Sequence, residues 1–165
     1  DVINVVLLQS IDGYITNHIF SNLNRYDEEN VTITINGNTE TKKIKDCIKK
    51  EKNEIRFKRK LELFIKDFKE IVLKHEQKNQ DENTSFTTTE MFLKKCVNSR
   101  NRLSHMNIEN KKKYFKGIEN TYAFYKLLLI FRLNLVYDLR LKDNIIKSNI
   151  NLNVYYTDKW YMENL

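Results

Sequence analysis

Residues 115–136 read FKGIENTYAFYKLLLIFRLNLV, and this stretch decides the fold. Phe115, Ile118, Tyr122, Tyr125, Leu129, Leu133 and Val136 recur at helical spacing, and many positions between them are apolar too. The pattern predicts a long helix from about Lys111 to Leu141, packed at the centre of a bundle or at an interface between two copies. Its most apolar run, Leu127 to Phe131, is bracketed by Lys126 and Arg132. That is far short of the roughly 20 residues a membrane span needs.

Upstream, Thr88 or Thr89 can cap another helix, with Glu90 in its first turn and Met91 to Leu103 as its body. Asn107 to Asn110 breaks the pattern before the long helix. Residues Val2 to Phe20 form a further helix: Ile3, Leu7, Ile11, Tyr14, Ile15 and His18 mark one stripe, widened by Val5, Leu8 and Ile19. Between the two, Thr41 to about His75 reads as helical, in one or two pieces, with Ile55, Leu61, Phe64, Phe68, Ile71 and Val72 facing inward. Glu76 to Thr87 is a polar loop.

One segment is different. Thr32-Ile33-Thr34-Ile35 followed by Asn36-Gly37 alternates like a strand and carries the turn chemistry of a hairpin, so a small β insertion is expected at about 21–42. The expected architecture is an all-α antiparallel bundle of four main helices plus short additional ones, decorated by that β-hairpin, in a single domain over 1–165. A short segment, Asn144 to Ile150, and an aromatic tail at about 151–165 (Tyr155, Tyr156, Trp160, Tyr161) close the chain. Those aromatics suit core or interface packing better than base stacking.

The absence of Pro and the presence of only 3 Gly in 165 residues agree with a helical fold. With 29 Lys+Arg against 22 Asp+Glu, the net charge of +7 suits a polyanionic partner without requiring one. Cys47 and Cys96 are far apart, in helical patterns, and show no zinc spacing. They point to reduced thiols in a cytoplasmic chain. No metal site, nucleotide-binding glycine loop or signal peptide is indicated, and no cofactor is expected. The chain starts without Met inside a helical pattern, which suggests the C-terminal domain of a longer protein.

Two positions carry chemistry on a helical wheel. Asp12 interrupts an apolar row between Leu8 and Ile15, where a carboxylate needs a cationic or hydrogen-bonding partner. Arg100 lines up with Leu93 beside Cys96 and Val97, facing the core, where its fork of donors needs acceptors. Asp12 is the best available acceptor, and a purely structural Arg–Asp pair is one reading. His105 lies five residues on, about 140° round an ideal helix, so the two cannot serve one phosphate unless the helix ends between them. A histidine finishing a helix C-terminus is the plain alternative. Asn101, four residues before His105, can hydrogen-bond its ring or a substrate. His18 reads as packed and His75 as a surface residue.

The stretch Arg100-Asn101-Arg102-Leu103-Ser104-His105 resembles the Arg-x(4–6)-His signature of HEPN ribonucleases. Val5-Val6-Leu7-Leu8-Gln9-Ser10-Ile11-Asp12 is similar to the opening helix of ApeA-like HEPN domains, as are the helical insert, the Asn98-Ser99-Arg100-Asn101 approach and the long apolar helix afterwards. The second position after the histidine is Asn107 rather than Tyr, so the Arg-x4-His-x-Tyr toxin branch is a poorer match. The resemblance implies a metal-independent endoribonuclease. In it, His105 is the general acid–base, Arg100 binds the scissile phosphate, Asn101 orients either one and Asp12 supports them. It further implies a homodimer with both motifs facing one cleft, which would resolve the wheel geometry. The implied substrate is an RNA with an exposed loop, such as tRNA, and the implied setting is bacterial anti-phage or abortive-infection defence with a sensor domain upstream. Arg102, Lys94, Lys95, Lys111, Lys112 and Lys113 crowd the motif and would follow the RNA backbone. For each lysine alone, a solvated basic face is as good a reading. The rival functions are a non-catalytic RNA-binding bundle and a protein–protein dimerisation module.

Overall fold

A computed structural model describes residues 2–20, 25–69, 89–105 and 114–140 together with Lys159 and Glu163; the side chains of 2–4 and 102–105 lie outside the description. The described elements are α1 (Val2–Phe20), β1 (Asn30–Ile35), β2 (Asn38–Lys43), a 3₁₀ turn (Ile44–Asp46), α2 (Lys49–Asn53), α3 (Phe57–Ile65), α4 (Thr89–His105) and α5 (Gly117–Asp138). The fold is an all-α bundle with a hairpin insertion, as the sequence patterning predicts.

The helix touching all the others is α1, which packs on α3, α4 and α5. Its Leu8, Ile11 and Ile15 are completely buried, so the apolar stripe expected from the sequence is the inner one. Of the two places expected for the 115–136 helix, the bundle centre is therefore taken by α1 among the described residues. Tyr114 to Lys116 are not helical, and Lys116 is extended before the helix starts at Gly117. The buried face of α5 also differs from the expected one. Tyr122 and Leu133 point inward as expected, but Ala123, Lys126, Leu127, Ile130 and Asn134 complete the face, while Ile118 and Tyr125 are exposed. A helix apolar on several sides gives periodicity little to choose from. The Asn134 amide nitrogen donates to the Phe64 carbonyl at 3.0 Å and to the Ile130 carbonyl at 2.9 Å, pinning α5 to the last turn of α3, while its Oδ1 is buried without a partner among the described residues.

The hairpin forms where the turn chemistry places it. Asn36 (φ 53°) and Gly37 (φ 83°) both take the left-handed conformation of a two-residue turn whose twist matches the strands. β1 and β2 pair antiparallel, Ile35 opposite Asn38, with Thr32–Thr41 and Thr34–Thr39 hydroxyl pairs at 3.1 Å. Val31 and Ile33 enter the bundle core. The insertion is anchored by Arg59 of α3, which donates from Nη2 to the Asn30 carbonyl at 2.7 Å and pairs with Glu29 and Glu62.

β2 runs to Lys43, one residue past the expected insertion and into the stretch read as helix from Thr41, and α-helix begins only at Lys49. β2 is almost wholly exposed, so no apolar alternation marked it as a strand. Cys47 follows the 3₁₀ turn rather than lying in a helix; it is buried and its thiol donates to the Lys43 carbonyl at 3.3 Å. Ile71, Val72, the loop 76–87, the break at 107–110, and the 144–150 and 151–165 segments lie outside the described residues.

Candidate functional site

On α1, Asp12 sits on the flank of the buried stripe with its side chain 20% exposed. Each of its oxygens meets a cation. Oδ2 accepts from Arg100 Nη2 on α4 at 2.8 Å, so the partner anticipated for Arg100 is the one it has. Oδ1 accepts from Lys60 Nζ on α3 at 3.0 Å. Lys60 also donates to the hydroxyl of Thr16, one turn beyond Asp12 on α1, at 2.9 Å. The Arg100 guanidinium lies over the Phe57 ring, 4.6 Å from its centre, one turn before Lys60 on α3. Three helices thus converge on one carboxylate.

This cluster joins packing to electrostatics. One carboxylate between two cations leaves the group net positive, and Arg100, 31% exposed, reaches solvent. A guanidinium has five N–H donors, and Asp12 takes only one bond from it. Among the described residues its Nε is buried without an acceptor. A phosphate could draw on the remaining Nη donors, the geometry that suits arginine to oxyanions.

Lys60, Phe57 and Thr16 were not foreseen as parts of the site. Phe57 and Lys60 stand three residues apart, which is a shared helix face, but nothing in the sequence says that this face meets α1 beside Asp12.

The remaining motif residues fall as follows. α4 is continuous from Thr89 through His105, so no break separates Arg100 from His105. Their backbone positions keep the 140° divergence of an ideal helix. Asn101 is half-buried and Lys94 is exposed on the same helix. The side chains of His105 and Arg102, and Lys111, Lys112 and Lys113 altogether, lie outside the described residues. Lys95 departs from the reading as an RNA contact: it is buried and its ammonium pairs with Glu119 on α5 at 3.0 Å. Engaging a phosphate would mean breaking that pair.

A second polar cluster lies on another face of α1, around Tyr14 and His18. Asp138, at the end of α5, accepts from the Tyr14 hydroxyl, from His18 Nε2 at 3.0 Å and from Arg25 Nη1 at 3.1 Å. His18 is therefore a polar partner of Asp138 as well as a packed ring. Arg25 also reaches Asp67 at 2.9 Å and lies over the rings of Tyr26 and Tyr137. Burial, then the Asp138 carboxylate, pushes the Tyr14 hydroxyl well above its ordinary range. Burial likewise pushes Tyr26 up to about 12, against the pull of Arg25. Neither phenol ionises near neutrality, so neither is a base, and the cluster reads as a fastening.

Among the described residues, no group of three His, Cys, Asp or Glu is placed to hold a metal, and no helix is long and apolar enough to cross a membrane. The family model described as Apea-like HEPN matches residues 5–145, a span that contains Asp12, Lys60, Arg100, Asn101 and His105. No curated protein and no solved structure matches the chain.

Proposed function

The chain belongs to the Apea-like HEPN family, and on that premise we propose that it is a metal-independent endoribonuclease of bacterial anti-phage or abortive-infection defence. The 2′-hydroxyl of the substrate attacks the adjacent phosphorus as His105 takes its proton; the 5′-oxygen leaves with a proton from a histidine. The products are a 2′,3′-cyclic phosphate and a 5′-hydroxyl. An imidazole titrating near neutral pH suits both halves of this exchange. Arg100 binds the non-bridging oxygens, where charge builds up in the transition state. Asn101 orients the ring or the phosphate, and Asp12 holds Arg100.

The observation that carries this reading is the grip on Arg100. Among the described residues it is fixed by one hydrogen bond and an aromatic face, and it reaches solvent with Nη donors to spare. The uninterrupted α4 adds a second point: it leaves the backbone positions of Arg100 and His105 about 140° apart, and a homodimer, with each copy completing the other's cleft, fits the chemistry. RNA with an exposed loop, tRNA among them, is the substrate class, because unstacked strands let the 2′-hydroxyl align.

The test is cleavage of single-stranded and tRNA substrates by the wild type, Arg100→Ala and His105→Ala, with the product ends analysed. Loss of cleavage in both variants, with folding intact and cyclic phosphate ends in the wild type, is the expected result. Undiminished cleavage by His105→Ala would overturn the assignment. RNA binding without any cleavage would leave a non-catalytic RNA-binding bundle.

A further inference from the structure

We infer that Lys60 is a positioning residue that keeps Arg100 available to the phosphate, an inference that rests on the RNA-binding role proposed for Arg100. A carboxylate facing a guanidinium can take it with both oxygens in a fork, consuming two donors and neutralising its charge. Here Asp12 Oδ2 alone holds Arg100, because Oδ1 is occupied by Lys60 at 3.0 Å. Lys60 is in turn fixed by Thr16 at 2.9 Å and is only 13% exposed, so it is a built-in partner rather than a wandering surface amine. Its ammonium also returns the cluster to a net positive charge, which an Arg–Asp pair alone would not have. With Lys60 gone, Asp12 is free to rotate onto both edges of Arg100 and to compete with the phosphate for it. Lys60 touches Asp12 and Thr16 and acts through them.

The experiment measures binding of a fluorescein-labelled single-stranded RNA oligonucleotide, with every variant built on His105→Ala so that the probe stays intact. Lys60→Met should weaken binding about tenfold, the loss of roughly one charged hydrogen bond to phosphate. Lys60→Arg, which can still occupy Oδ1 and supply the charge, should bind within about twofold of the parent. Asp12→Asn combined with Lys60→Met removes the competing carboxylate and restores the net charge, so it should recover binding to within about threefold. A purely structural lysine would not be rescued by neutralising the residue it holds. Lys60→Met binding like the parent while Arg100→Ala binds poorly would overturn the inference and leave Arg100 as a phosphate ligand. A double variant as weak as Lys60→Met would overturn it as well. Should Lys60→Met fail to fold, the double variant decides alone, and binding more than about tenfold below the parent counts against the inference. If Arg100→Ala binds as well as the parent, the RNA role of Arg100 itself falls, and this inference with it.

Discussion

Replacing Asp12 by Ala tests the three-helix junction directly. The substitution strands two cations, Arg100 and Lys60, whose bonds to the carboxylate are 2.8 and 3.0 Å long. Breaking a fully buried pair this way costs about 3–5 kcal/mol, whereas an exposed pair contributes about 0–1 kcal/mol. The side chains are 20%, 31% and 13% exposed, so the cost falls between these limits. Two interactions survive and soften the loss: Lys60 keeps Thr16, and Arg100 keeps the Phe57 ring, worth about 0.5–1 kcal/mol. The expected destabilisation is about 2 kcal/mol, or roughly 6 °C in melting temperature for a domain of this size. Urea unfolding followed by circular dichroism measures it, and the same substitution in an Arg100→Met background separates the pair. The two losses should fall short of additive by about 1 kcal/mol. A change below about 0.5 kcal/mol, or strict additivity, would show that solvent already screens the junction, and the argument for a fixed Arg100 would go with it.

Three further outcomes follow from contacts elsewhere. Asn134→Ala removes the donors to the Phe64 and Ile130 carbonyls inside the core and should cost about 2 kcal/mol in chemical denaturation. A wild-type midpoint would mean that α5 is held by its apolar face alone. Tyr26 has its folded pKa raised from an ordinary 10.0 to about 12, so folding favours the neutral phenol. That contribution is present in full below pH 10 and lost as the pH climbs through about 12. Tyr26→Phe should flatten this alkaline arm. It should also leave neutral-pH stability unchanged or up to about 1 kcal/mol higher, since among the described residues the buried hydroxyl has no partner. In cleavage assays, Arg100→Ala and His105→Ala should each lower the rate by at least about a hundredfold, while Lys94→Ala at an exposed position should act mainly through the salt dependence of RNA binding.

How far the fold could be read in advance differed from element to element, for physical reasons. Asp12 was conspicuous because a carboxylate on an apolar row demands a counterpart, and that demand led to Arg100 on α4. Asn36-Gly37 announced its turn because few other dipeptides tolerate two left-handed residues in succession. β2 was legible only through that turn, since a strand lying on the surface needs no alternation of its own. The inner face of α5 was misjudged because Lys126 and Asn134, which are polar, are fully buried while Tyr125 is exposed. Lys60 could not be picked out from a helix rich in Lys and Arg: its role depends on how α3 sits against α1, which local pattern leaves open. His18 needed the end of α5, 120 residues away in sequence, before its partner Asp138 came into view.

The Arg25 fastening bears on the order in which the chain assembles. Its guanidinium meets Asp67 and Asp138, 42 and 113 residues away, so the pair of bonds is complete only once three distant segments have come together. Such a latch is expected to close after the rate-limiting barrier and to contribute little at the summit. Loss of Arg25 would therefore leave the speed of folding nearly untouched and express itself as a shorter lifetime of the folded protein.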